Sequence, residues 1–191
     1  MKLAIFKRET LKKGDTKRLR REGNIPAVLY GASQSNENVY LKNDEMQAIL
    51  RGLKSGLLAT TVFELVDGKK THKAVIKDVQ YHVTSYAIQH IDFAILSDNA
   101  PVSVNVPIQI LGSAECAGVK LGGFPRQVIR TLRVSCLPKD IPQEFTLDIT
   151  SLDVNQSKRL SDIAIPANVR PLAKMSEVAV MIGKKAGAVS A

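Results

Sequence analysis

Ile88-Gln89-His90-Ile91-Asp92-Phe93 is the stretch on which the fold turns. Apolar and polar residues alternate here, and alternate side chains of a strand share a face. Gln89, Ile91 and Phe93 are expected to point into a core, which leaves His90 and Asp92 together on the opposite face. Working outward, Ala87 to Leu96 and Lys73 to Tyr81 read as two strands, and Asp78, Gln80 and His82 share a face of the second. If the two strands pair, one sheet surface gathers two carboxylates, a glutamine and two histidines. Upstream, Thr60 to Val66 is rich in β-branched and aromatic residues and ends at Asp67-Gly68, a hairpin signal.

Nearer the start, Leu3 to Arg8 reads as a strand, Thr10 to Thr16 as a basic loop and Lys17 to Glu22 as a short basic helical turn. Gly14, Gly23 and Pro26 argue against a long basic helix. Ile25 to Gly31 is an apolar run closed by glycine, the mark of a buried strand, followed by a polar loop over Ala32 to Asn38 and a short strand over Val39 to Leu41. Asn43 is placed as an N-cap, with Asp44 and Glu45 complementing the helix dipole. Met46, Ile49, Leu50 and Leu53 then recur on one helix face until Gly56.

Asp98-Asn99-Ala100-Pro101 marks a boundary. Beyond it, Val102 to Ile108 alternates with period two, and Val128 to Leu137, Phe145 to Ile149 and Glu177 to Ile182 alternate in part, punctuated by Pro138, Pro142, Pro166 and Pro171. The expected fold is mainly β with a few helices, in two domains: residues 1–98, then an all-β domain over 99–183, with a small basic tail over 184–191.

With 191 residues and 45 % hydrophobic content, core size is not limiting. Charge is the unusual quantity: 27 Lys+Arg against 18 Asp+Glu gives +9. Residues 1–21 contribute +7 of it, through Lys2, Lys7, Arg8, Lys12, Lys13, Lys17, Arg18, Arg20 and Arg21 against Glu9 and Asp15. A concentrated basic segment on a near-neutral body reads as a docking arm for an anionic partner, with affinity that falls steeply with salt. No apolar run approaches the ~20 residues of a membrane-spanning helix. The start has too short an apolar stretch for a signal peptide, which sets the expectation of a cytoplasmic location. Cys116 and Cys136 form no CxxC pattern and read as buried thiols.

Several chemistries compete for the polar sheet face. A metal site needs three or four convergent ligands. A hydrolase built on His90 and Asp92 needs a nucleophile, and no Ser or Cys sits in a recognisable elbow motif. A third reading is that these polar side chains simply face water and satisfy one another. The fourth is hydrogen bonding to RNA, where a carboxylate repelled by phosphates must gain from a base amino group or a 2′-hydroxyl, or by orienting a cation. Tyr30 is either a core residue or an RNA contact, and pattern alone favours the core. With no Trp and 5 % aromatics there is no clustered stacking platform, which points to a structured RNA helix over a flexible strand.

Arg8, Lys13-Gly14 and the run Lys17-Arg18-Leu19-Arg20-Arg21-Glu22-Gly23-Asn24-Ile25-Pro26-Ala27-Val28-Leu29-Tyr30-Gly31 resemble the opening of the bacterial L-twenty-five family of large-subunit ribosomal proteins, which bind 5S rRNA. Asp78-Val79-Gln80-Tyr81-His82 and Gln89-His90-Ile91-Asp92-Phe93 match its second signature in order and spacing. Gly122-Gly123, Cys136-Leu137-Pro138 and Leu160-Ser161-Asp162-Ile163 resemble the longer, general-stress (CTC) type. The resemblance implies an N-terminal β-barrel-like domain, similar to the anticodon-binding domain of glutaminyl-tRNA synthetase, that grips the loop E helix of 5S rRNA through its minor groove. By position it implies RNA contacts at Arg8, Lys13, Arg18, Arg20, Tyr30, Asp78, Gln80, His90 and Asp92, and Lys17 stands where an arginine is common. Its implied partners are 5S rRNA, the large ribosomal subunit and neighbouring ribosomal proteins, with no cofactor, metal, membrane or small-molecule substrate. An RNA-processing hydrolase using His90 and Asp92, and a stress-related interaction module acting through the second domain, stand as the alternatives.

Overall fold

The computed structural model describes residues 1–8, 13–31, 34–68 and 70–184. The chain divides into two units, Met1–Val104 with Leu137–Ile141, and Asn105–Cys136 with the residues from Pro142 on. Both are mainly β, and the described residues contain three α-helices.

The first unit holds β1 (Lys2–Ala4), β2 (Phe6–Lys7), α1 (Lys13–Arg21), β3 (Asn24–Gly31), β4 (Gln34–Lys42), α2 (Asn43–Gly52), β5 (Val62–Asp67), β6 (Lys70–Tyr81) and β7 (Ile88–Ile95). Its seven strands run in the order β1-β5-β6-β7-β3-β4-β2. The two edge strands are separated in sequence by Ile5 alone. β1 lies parallel to β5, with Leu3 beside Leu65, and β2 lies antiparallel to β4, with Phe6 beside Tyr40. A chain that reaches both edges within six residues curls the sheet into a nearly closed barrel, which leaves little free edge. The single strand expected over Leu3 to Arg8 is therefore two. Ile5, 2 % exposed, turns into the core at the break, and its N–H reaches the Val66 carbonyl at 3.0 Å.

Leu3, Ile25, Leu29, Leu41, Phe63, Leu65, Ile91 and Phe93 fill the interior. The Phe63 and Phe93 rings meet edge to face at 6.3 Å. Met46 of α2 is fully buried in this core, as the helical periodicity requires, with Ile49 and Leu50 packed beside it. β4 runs straight into α2, so Lys42 holds the cap position; Asn43 is the first helical residue and caps nothing, its Oδ1 instead accepting from Gln47 Nε2 at 3.5 Å.

Two further expectations are corrected. The basic turn is a nine-residue helix that starts at Lys13. Gly14 falls in its first turn, where backbone N–H groups have no intrahelical partner to lose, and Gly23 (φ +78°) ends the helix just past Glu22. Residues 10–12 of the expected loop lie outside the described residues. The polar loop over Ala32 to Asn38 is mostly strand: β4 begins at Gln34 and pairs with β3 from Gly31↔Gln34 to Asn24↔Lys42. Polar residues serve in a strand whose outer face is wet.

The second unit contains most of β8 (Val102–Leu111), then α3 (Ala117–Lys120), β9 (Gly123–Gln127), β10 (Thr131–Cys136), β11 (Phe145–Asp148), β12 (Ser157–Arg159), β13 (Arg170–Pro171) and β14 (Val178–Lys184). Two sheets form, in the orders β11-β8-β10-β13 and β12-β14-β9. The strand expected from Val128 starts at Thr131, and the glycine-rich stretch Val119 to Phe124 supplies the end of α3 and the start of β9. β14 extends to Lys184, one residue into the segment read as the tail. Cys116 and Cys136 are buried free thiols.

Candidate nucleic-acid interface

Two β-bulges make the outer face of β6 and β7. Ile76 pairs with Phe93 and Asp78 with Asp92, so Lys77 is an extra residue in β6. Gln80 pairs with His90 and Tyr81 with Ile88, so Gln89 is an extra residue in β7. A bulge shifts the side-chain alternation by one residue. Without the first, Asp78 and Gln80 would continue the inward series of Ala74 and Ile76. With it, Val79 packs against the core and both polar side chains reach water. The extra Lys77 directs its Nζ to the Ser103 carbonyl at 2.7 Å and to the Ser103 hydroxyl at 2.6 Å.

The second bulge overturns one expectation. Gln89 does not join Ile91 and Phe93 inside; Ile88 takes the inward place and Gln89 is half-buried. The ladder loses the Gln89 pairing, and its carbonyl accepts from Arg20 Nε at 3.1 Å. That bond ties the last turn of α1 to the strand that carries His90. The cationic helix and the polar sheet face thus adjoin each other.

On that face Asp78 stands opposite Asp92 and Gln80 opposite His90. His90 Nδ1 lies 2.8 Å from Asp92 Oδ1. A carboxylate accepts only, so Nδ1 donates, and in the neutral ring Nε2 is left as an outward acceptor. Two carboxylates directly opposite repel each other, a disadvantage that a partner's donors would offset. Tyr30 belongs here as well. β3 is parallel to β7 with Val28 beside Asp92 and Tyr30 beside Ala94. The expected core position is wrong: Ala27 and Leu29 point inward, while Tyr30 is half-buried on the outer side. Burial pushes its phenol pKa up, and the charges of Asp92 and then Asp78 add to the shift, so the three groups share one field. His82 leaves the face altogether. It lies beyond the end of β6, and its Nδ1 accepts from the Ser85 N–H at 3.3 Å inside the turn.

The expected cations divide into three kinds. Lys17, Arg20 and Arg21 are exposed, and Lys17 and Arg21 have no acidic partner among the described residues. Arg18 is exposed and 3.5 Å from Glu22, one helical turn on. Arg8 is committed within the protein: Nη1 donates to Thr16 Oγ1 at 3.0 Å, Nη2 to Asn38 Oδ1 at 3.4 Å, and its N–H to the Asn38 carbonyl. Arg8 therefore positions α1 against β4. The Lys13 side chain lies outside the described residues. Lys7 is held between Glu37 and Asp67, both at 3.5 Å, and Glu37, then Asp67, raises its pKa.

The sequence held a signal for both bulges that alternation alone overlooks. Ile76 and Val79, and likewise Ile88 and Ile91, are inward residues three apart where two is the strand period. Among the described residues no three His, Cys, Asp or Glu side chains are grouped to hold a metal.

Residues 3–93 match the family model "Ribosomal L25p family", and residues 101–186 match "Ribosomal protein TL5, C-terminal domain". The chain is 44 % identical over 185 residues to the large ribosomal subunit protein bL25 of Chlamydia abortus, an alignment that covers 97 % of this chain and 100 % of the relative. Its identity to the protein of the same name from Chlamydia trachomatis serovar L2 is 45 %, and to that from Chlamydia pneumoniae 42 %, over the same shares.

Proposed function

The chain belongs to the ribosomal L25p family, and from that premise we propose that it is a non-catalytic constituent of the large ribosomal subunit that binds 5S rRNA. The loop E helix enters by its minor groove. Lys13, Lys17, Arg18 and Arg21 dock on phosphates and fix the register. Tyr30, Asp78, Gln80, His90 and Asp92 read the groove, the carboxylates accepting from amino groups or 2′-hydroxyls and His90 offering Nε2. Arg20 holds the two parts together, and Arg8 sets the helix that carries the cations.

The observation that carries this reading is the Arg20–Gln89 bond. It makes a cationic helix and an acid–imidazole strand face one continuous surface, and only a partner with both phosphates and base edges answers both. Footprinting of isolated 5S rRNA with the whole chain, with a salt titration alongside, tests it. Protection confined to loop E, with affinity that falls linearly in log–log form with salt, is expected. Protection elsewhere, or equal binding to random duplex, rejects it.

A further inference from the structure

Beside the face just described, on the far side of Gln89, lies an open cleft of about 240 Å³. Its apolar wall is Ile25, Ala87 and Ile88; its polar groups include Arg20, Asn24, Asn43, His82 and Gln89, and no carboxylate lines it. Among the described residues nothing hydrogen-bonds the side-chain amides of Asn24 and Gln89. Each offers a donor and an acceptor, the pairing found on the edge of a nucleobase. His82 Nδ1 accepts from the Ser85 N–H, so the neutral ring carries its proton on Nε2, one more donor.

The hairpin between β6 and β7 supplies the second observation. Its ends are joined by His82 N–H to the Ala87 carbonyl at 2.8 Å, and Tyr86 N–H bonds the His82 carbonyl at 3.0 Å. Tyr86, the residue before Ala87 in the loop, has φ +54°, the left-handed region that favours glycine and strains a bulky side chain. Yet the residue here is a tyrosine, 78 % exposed, between two residues that line the cleft. A bulky ring in a strained and unburied position has no packing reason to be there.

We infer that this cleft takes one unpaired nucleobase of the bound RNA, with Tyr86 stacking on it and the amides of Asn24, Asn43 and Gln89 bonding its edge. The inference rests on the RNA-binding reading above and adds a pocket to the groove-reading face. Arg20 sits where the two meet, placed to bond the phosphate that joins the extruded nucleotide to the helix. The cleft selects an unstacked base because a paired one cannot present its edge and its ring face together.

The test is a set of variants measured with full-length 5S rRNA. Tyr86→Gly relieves the left-handed strain, so its melting temperature is expected to rise while its affinity falls about tenfold, the size of one lost base–aromatic stack. Tyr86→Phe keeps the ring and is expected to bind as the native chain does. Chemical probing should show one unpaired base protected by the native protein and reactive with Tyr86→Gly. If Tyr86→Gly binds and protects as the native chain does while Asp92→Asn binds weakly, the cleft is not a base site and the wider reading stands. If Asp92→Asn and Lys17→Ala also leave 5S rRNA affinity unchanged, both fall together.

Discussion

Asp92 takes part in three interactions at once: it accepts from His90, faces Asp78 across the ladder and raises the Tyr30 phenol. Because the folded phenol ionises above the ordinary value of 10.0, the unfolded chain loses that proton first as pH climbs. The stabilisation from neutral Tyr30 is complete below the ordinary value and disappears as pH rises through the alkaline interval to the folded midpoint. Asp92→Asn removes the second-largest cause after burial, so the Tyr30 midpoint should move down. Tyrosinate absorbance against pH, with Tyr30→Phe as the reference, measures it, and an unmoved midpoint contradicts the shared field. The same variant should weaken 5S rRNA binding by about five- to a hundredfold, the range of a lost base contact, and narrow the preference over random duplex. The His90–Asp92 neighbourhood was legible from simple alternation. Gln89 was not, because a period-two rule has no term for an inserted residue, and the inward pair Ile88 and Ile91 looks like any other hydrophobic spacing until the ladder is seen.

At the scale of elements, α1 depends on Arg8. Arg8→Ala deletes two side-chain bonds between that guanidinium and Thr16 and Asn38. Hydrogen bonds to a charged group contribute about 1.5–3 kcal/mol each at most, so a loss near 2 kcal/mol is expected, with faster amide exchange concentrated in α1. RNA affinity should fall without a change in its salt slope, since no phosphate contact is removed; a lower slope would return Arg8 to the RNA. Gly14→Ala works the other way. Among the described residues a Cβ at Gly14 meets nothing within 4 Å, so alanine should add up to about 0.5–1 kcal/mol, read from the urea midpoint. The start of this helix was hidden in the sequence because Gly14 reads as a breaker, and only the first turn forgives it. The division of β1 from β2 was hidden for a different reason: Leu3-Ala4-Ile5-Phe6 is an unbroken apolar run that reads as one strand through a point where the backbone changes partners. α2 was plain, since Met46, Ile49 and Leu50 have one face to bury and a core waiting for it.

Over the whole molecule, the segregation of charge decides how binding responds to solution conditions. Each phosphate contact removed should reduce the log–log salt slope by roughly 0.7–0.9, so Lys17→Ala, exposed and without an acidic partner among the described residues, should lower the slope by about that amount and weaken specific and random RNA alike. Asp92→Asn should leave the slope unchanged. Stability rests elsewhere: Phe93, fully buried against Phe63, should cost about 3–5 kcal/mol as Phe93→Ala, measured by denaturant unfolding. The basic segment and the change of texture near Pro101 could be read from composition and patterning. The nearly closed sheet could not, since it depends on which strands become neighbours across sixty residues.

That closure sets an order of events during synthesis. Lys2–Ala4 is made well before its partner strand, Val62–Asp67, and Asn24–Gly31 before its inner neighbour, Ile88–Ile95. The cationic helix therefore leaves the exit tunnel some seventy residues ahead of Asp92, which is to stand beside it. On the proposed reading, the nascent chain attracts polyanions without distinction and gains selectivity only when the last strand of the barrel is in place.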